Sequence, residues 1–167
     1  MPFDREQFTS WYSEYERQFL RRAADEAKQC LNDVLDRNFQ KRKRDRFRLG
    51  QPRIKSANRA FQKLSLPKYS GGHGHVQDVP SILDDLIGIR ITCTNNSDVD
   101  EVREVIAGSF KETEFSETSM KSLDVPFAIQ KGSHRDYIDD PKPSGYRAFH
   151  LNLMIRISKS TDSCEIV

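Results

Sequence analysis

The chain has 167 residues, of which 31% are charged, and a formal net charge of +2. That length suits one domain with a buried core, and the near balance of charge excludes a polyelectrolyte. No apolar run approaches the roughly 18 residues that cross a bilayer, and the start, Met1-Pro2-Phe3-Asp4-Arg5-Glu6, lacks both the basic and the apolar part of a signal peptide, so a cytoplasmic protein without membrane contact is expected.

A long helix opens the chain. Phe8, Trp11, Tyr12, Tyr15, Phe19, Ala23, Ala27, Leu31, Val34 and Leu35 recur at three- and four-residue steps, which predicts one helix over residues 4–38 with an apolar stripe facing a core. Asp4 and Gln7 have the spacing of a capping pair. The run Lys41-Arg42-Lys43-Arg44-Asp45-Arg46-Phe47-Arg48 sets six cations against one acid. It reads either as a solvated helix end or as an electrostatic footprint for polyphosphate or nucleic acid. A short helix over 56–65 follows, with Ala60, Phe61 and Leu64 on one side and Pro67 beyond its end. Residues 70–80 form a Gly-rich loop that holds His73 and His75.

Residues 86–93, Leu-Ile-Gly-Ile-Arg-Ile-Thr-Cys, predict a buried strand. Ser97 is read as the cap of a helix that runs to about Ala107, with Gly108 as its stop. Phe127–Gln130 reads as a short strand. From Tyr146 to Ser158 the sequence alternates, with Phe149, Leu151, Leu153, Ile155 and Ile157 on the apolar face. Glu165-Ile166-Val167 resembles the beginning of another strand. Strands and helices mixed behind a long N-terminal helix give an α+β fold. The expectation is a single domain over 1–167, made of a helix (1–38) and a core (39–167), cut short at its C-terminal end. Cys30, Cys93 and Cys164 form no CxxC pair and are read as small buried hydrophobes with reduced thiols.

Several residue groups could carry chemistry. Asp85, at the lead-in to a strand, is either a turn residue or a hard-cation ligand, and Glu165 is the candidate second carboxylate. In the block Arg53-Ile54-Lys55-Ser56 with Lys63, Lys55 and Lys63 offer cations at a spacing that suits a triphosphate, and Arg53 and Arg90 carry guanidinium planes able to stack on a base. The loop from Arg135 to His150 combines cations (Arg135, Lys142, Arg147) with a Gly145-Tyr146 pair and a terminal His150. It suits a phosphorylated aromatic ligand, because Tyr146 can offer a ring face to a base while Pro141 and Pro143 stiffen the backbone around Lys142.

Together these blocks resemble the synthetase domain of the RelA/SpoT family, the enzymes that make the alarmones ppGpp and pppGpp. Arg53-Ile54-Lys55-Ser56 with Lys63-Leu64 resembles the family's ATP block, Asp85 to Arg90 its metal-binding strand, and Arg135 to His150 its acceptor loop. The resemblance implies a nucleotidyltransferase-like mixed sheet flanked by helices. It implies transfer of the β,γ-pyrophosphate of ATP to the 3′-hydroxyl of GDP or GTP, with Mg²⁺ as cofactor. Arg53 and Arg90 would sandwich adenine, and Lys55, Ser56 and Lys63 would line the ATP phosphates. Asp85 and Glu165 would be the catalytic, metal-binding pair. Tyr146 would stack on the acceptor base, with Arg135, Lys142 and His150 around its phosphates. Two departures stand out: Arg59 occupies a place where the family usually has Ser, and Val167 follows Glu165-Ile166 where Gln is expected. Two other readings stay open. One is a toxin-type enzyme that pyrophosphorylates the 3′ end of tRNA and is paired with an antitoxin. The other is a nucleotide- or RNA-binding module without catalysis.

Overall fold

The computed structural model describes residues 4–69, 75–83, 85–114 and 126–156. In chain order its helices are α1 (Arg5–Tyr15), α2 (Arg21–Asn38), α3 (Lys41–Arg44), α4 (Ala57–Leu64), α5 (Val79–Ile82) and α6 (Asn96–Ser109). Its strands are β1 (Phe47–Leu49), β2 (Arg53–Ile54), β3 (Ile87–Gly88), β4 (Ile91–Cys93), β5 (Glu112–Thr113), β6 (Phe127–Gln130), β7 (Arg135–Asp136), β8 (Phe149–His150) and β9 (Leu153–Ile155). The α+β class and the long N-terminal helix are as expected. A π-helical turn, Glu16–Leu20, joins α1 to α2, and no feature of the sequence pattern announced it. No helix among the described residues is long and apolar enough to cross a membrane. The residues group into two compact units, Met1–Glu26 with Gln51–Arg90, and Ala27–Gly50 with Ile91–Val167.

In the first unit the Asp4 carboxylate accepts the Gln7 N–H at 2.7 Å and so satisfies one of the free donors that begin α1. The aromatic stripe is core: Phe8 and Tyr12 are fully buried, and the Trp11 and Tyr15 rings stack with centroids 5.1 Å apart. Burial pushes the Tyr15 hydroxyl up to about 12. Helix α4 lays Ala60 and Leu64 into the same core, and its Phe61 ring lies 5.4 Å from Phe8. Val76, Val79, Leu83 and Leu86 complete the cluster. The backbone N–H of His75 donates to Asp78, so His75 starts a 3-10 turn ahead of α5, while His73 lies outside the described residues. β2 and β3 pair antiparallel, Arg53 opposite Gly88 and Ile54 opposite Ile87.

In the second unit β1 pairs antiparallel with β4, and the Phe39 and Phe47 rings meet edge to face at 4.5 Å. A mixed three-stranded sheet runs β5-β6-β9, with β5 parallel to β6 and β9 antiparallel to it. β7 and β8 form an antiparallel ribbon. Three local expectations are corrected here. Residues 86–93 are not one buried strand but two short ones, β3 bonded to β2 and β4 bonded to β1, with exposed and half-buried side chains alternating. Helix α6 is capped by Asn95, whose side-chain Oδ1 accepts the Asp98 N–H at 3.0 Å, while Ser97 donates its hydroxyl to the same oxygen at 2.7 Å; the helix runs through Gly108 to Ser109. The alternating segment near the C-terminus splits into β8 and β9. Met154, expected on the polar face, is the buried residue, because it stands opposite the fully buried Ala128.

The basic run serves structure in part. Arg44 donates to Asp36, Asn32 and the Phe47 carbonyl at 2.6–2.7 Å, and Lys43 pairs with Glu101. The Arg46 guanidinium lies 2.8 Å from the buried Asp98 carboxylate.

Candidate functional site

The first candidate cluster lies where strand β2 passes into helix α4. Lys55 follows the ladder, and its N–H donates to the Leu86 carbonyl at 2.8 Å. Ser56 then stands as the N-cap residue of α4, and two turns along that helix comes Lys63. Both ammonium groups converge on Asp85, just ahead of β3: Lys63 at 2.7 Å from one carboxylate oxygen and Lys55 at 3.0 Å from the other. The lysine side chains are 19% and 14% exposed and the carboxylate 46%, so the cations are the more deeply set members. Burial raises the Asp85 carboxyl, but hydrogen bonds from Lys63 and Lys55 outweigh it and hold the group below the ordinary carboxylate range. Three of the predicted residues thus meet in one bridge. The sequence placed both lysines on phosphate and Asp85 on metal; it did not show that without ligand they hold one another.

Arg53 and Arg90 are both exposed. Arg53 stands opposite Gly88 in the β2–β3 pair, and Arg90 follows β3 two residues after Gly88. The backbone would admit a Cβ at Gly88, whose nearest neighbour would be the Arg53 carbonyl oxygen at 3.9 Å. Glu165, the other predicted metal ligand, lies outside the described residues.

The second candidate cluster is the loop between β7 and β8. The ribbon's register puts Arg135 directly opposite His150. Arg135 donates to its neighbour's carbonyl, that of His134, at 2.8 Å. At the tip the Gly145 N–H donates to the Lys142 carbonyl at 2.8 Å, closing a β-turn with Pro143 in its second position and Gly145, at φ +76°, in its fourth. The turn brings Tyr146 back beside the strand, where its hydroxyl and His150 Nε2 share a hydrogen bond of 2.9 Å. Tyr146 is 37% exposed, unusually open for so large a ring. The Lys142 ammonium sits 4.4 Å from the centre of the Tyr137 ring and 5.4 Å from that of Tyr146. Arg135, Lys142, Tyr146 and His150 are thus gathered in one loop.

Sequence reasoning assigned no role to Tyr137, Asp136 or Arg103. Asp136 accepts the Ile138 and Asp139 N–H groups at 2.9 and 3.2 Å, and these bonds, with the Arg103 guanidinium, hold its carboxyl below the ordinary range. Arg103, from α6, reaches Asp136 at 3.2 Å and lies over the Phe149 ring at 5.3 Å. Tyr137 could have been found from its place in the loop; Arg103, 33 residues from its partner, could not. A cavity of about 660 Å³ along β1 and β4, lined by Arg44, Arg46, Arg48, Thr92 and Thr94, contains none of the predicted site residues.

The donor set bears on the metal. Among the described residues no three His, Cys, Asp or Glu side chains come together as a metal cage. Asp85 is a single, half-exposed hard oxygen donor. Mg²⁺ is commonly held by one or two carboxylates, with water and substrate phosphates completing its shell, so these residues fit an ion that arrives with a nucleotide.

Two solved structures share the fold. The small alarmone synthetase 1 from Bacillus subtilis, bound to its product pppGpp, superposes with a TM-score of 0.60 at 18% identity, over 94% of this chain and 69% of that one. A GTP pyrophosphokinase family protein from Streptococcus pneumoniae superposes with a TM-score of 0.62 at 19% identity, over 93% of this chain and 65% of that one. The chain therefore spans about two thirds of the length of either. No curated protein matches the sequence. The pattern described as the region found in RelA/SpoT proteins matches residues 52–166, from just before β2 onward, and by that match the chain belongs to the RelA/SpoT family as a synthetase domain.

Proposed function

We propose that residues 1–167 act as one pyrophosphokinase domain that transfers the β,γ-pyrophosphate of ATP to the 3′-hydroxyl of GDP or GTP, giving ppGpp or pppGpp. The observation that carries this reading is the convergence of Lys55 and Lys63 on Asp85: two part-buried cations and one carboxylate gathered at a strand-to-helix junction. In the reaction the acceptor's 3′-oxygen bonds to the β-phosphorus of ATP, the bond from that phosphorus to the α–β bridging oxygen breaks, AMP leaves, and the hydroxyl proton passes to a base. Little covalent chemistry is asked of the protein, so alignment and charge neutralisation supply the rate.

In this reading Lys55 and Lys63 turn from Asp85 to the ATP phosphates, with Ser56 beside them at the start of α4. Asp85 would hold Mg²⁺, which would supply charge neutralisation at the transferred group. Arg53 and Arg90 flank adenine. Tyr146 stacks on the acceptor base while Arg135, Lys142 and His150 meet its phosphates. Glu165 is carried over by resemblance alone, as the second carboxylate and the base. The cytoplasm, where ATP and GTP are abundant, is the matching compartment.

A second reading, transfer to the 3′ end of tRNA by an enzyme held in check by an antitoxin, draws support from β1 and β4. Arg48 stands opposite Thr92, both exposed, with exposed Arg46 and Thr94 beside them along the cavity described above. Guanidinium and hydroxyl groups in a row suit a phosphodiester backbone. Incubation with ATP labelled in its β- and γ-phosphates, Mg²⁺, and GDP, GTP or total tRNA separates the readings. Label on GDP or GTP supports the first, label on tRNA alone the second. Nucleotide binding with no labelled product would overturn both in favour of a binding module.

A further inference from the structure

The buried face of α1 carries one polar atom aimed at the candidate ATP cluster. Tyr12 is fully buried among Phe8, Leu20, Ala60 and Leu64, and its hydroxyl donates to the main-chain carbonyl of Lys55 at 2.7 Å. The same residue's N–H is held by the Leu86 carbonyl at 2.8 Å, next in sequence to Asp85. Both backbone groups of Lys55 are therefore fixed, one by the ladder and one by a side chain 43 residues earlier. Lys55 is also the junction where β2 ends and Ser56 starts α4, which carries Lys63. The Lys55 carbonyl stands where the chain passes from β2 into α4, and the Tyr12 hydroxyl donates to it there. Burial and the nearby Glu16 carboxylate raise the Tyr12 hydroxyl far above its ordinary value, so it remains a donor at every working pH.

We propose that Tyr12 is a positioning residue, which aims the Lys55 ammonium at the phosphates of ATP through its hydrogen bond to the Lys55 carbonyl. The inference rests on the reading of Lys55 and Lys63 as ATP-binding. Packing alone does not require the hydroxyl, since a phenylalanine fills the same space; what it adds is a fixed direction for one main-chain carbonyl and hence for the side chain on the same residue. A helix that precedes the family-matched region, which begins at residue 52, would thus take part in substrate binding.

The test is a double-mutant cycle read by ATP affinity. Tyr12→Phe should weaken ATP binding about five- to tenfold, the worth of one hydrogen bond whose acceptor is then left partly buried. GDP binding should not change, and the thermal midpoint should move little because the ring is kept. In the Lys55→Ala background the same Tyr12→Phe change should have no further effect on ATP affinity, since the hydroxyl acts only through that lysine. Equal losses in both backgrounds would show a general structural role and overturn the proposal. Unchanged affinity in Tyr12→Phe beside a weakened Lys55→Ala overturns this inference alone; unchanged affinity in Lys55→Ala overturns the ATP reading and this inference with it.

Discussion

Asp85→Asn is expected to move ATP binding and turnover in opposite directions. The carboxylate holds Lys63 at 2.7 Å and Lys55 at 3.0 Å, and about half of it is open to water. Water screens such pairs, so each contributes on the order of 0.5–1 kcal/mol. About 1–2 kcal/mol must then be given up before both ammonium groups can turn to a phosphate. Asparagine keeps the shape and removes the charge, so this competition disappears. Titration calorimetry with ATP in EDTA should show affinity tighter by about 5–30-fold. With Mg²⁺ and acceptor present, the same variant should make no product, because the carboxylate proposed to meet the metal is gone. A variant that binds ATP more weakly in EDTA would refute the exchange of partners. One that keeps full turnover would remove Asp85 from the reaction.

The remaining predictions concern the loop and the framework. Tyr146→Ala should raise the GDP or GTP dissociation constant by a factor set by about 1–3 kcal/mol of stacking, while the ATP constant stays put; equal loss of both would sink the stacking assignment. Asp136, like Asp85, has a depressed carboxyl, so its contribution to stability is complete above its unfolded value near pH 4 and is lost as pH falls through the lower folded value. Urea unfolding from pH 7 to 3 should therefore show a shallower loss of stability in Asp136→Asn than in the parent, and identical slopes would contradict a stabilising role for its bonds to the Ile138 and Asp139 N–H groups. Arg46→Met leaves the Asp98 carboxylate, 1% exposed, without the cation that pairs with it among the described residues, whereas Arg46 itself is 40% exposed. The cost should be about 1–3 kcal/mol, below that of breaking a fully buried pair, and a urea midpoint that does not move would show that water reaches Asp98.

What the sequence disclosed was local. The apolar stripe from Phe8 to Leu35 predicted a helix because 3.6-residue periodicity survives any tertiary arrangement. Pro141 and Pro143 predicted a stiffened backbone around Lys142 because proline restricts its own φ whatever surrounds it. The missed features depend on partners far along the chain. Residues 86–93 read as one strand, yet β2 and β1 each take half of it, and nothing within those eight residues marks the division. Met154 is buried because Ala128 faces it. The Lys55–Asp85 pair spans 30 residues and the Tyr12–Lys55 bond 43, so the candidate residues were legible one by one while their mutual contacts were not.

The lysines of both candidate subsites rest on the protein's own groups. Lys55 and Lys63 rest on Asp85, and Lys142 rests over the rings of Tyr137 and Tyr146. There is a physical reason for this. A part-buried ammonium without a counter-charge is costly, so a site that only awaited phosphate would destabilise the fold that carries it. A carboxylate in the free state removes that cost, but any ligand must then offer more negative charge than Asp85 already gives. A triphosphate does so and a nucleoside does not. The Lys142 contact works similarly, since a base that stacks on Tyr146 displaces a cation for which the acceptor's own phosphates provide a new partner. On the proposed reading, discrimination in favour of fully phosphorylated nucleotides is therefore set by the groups that occupy each subsite before the ligand arrives.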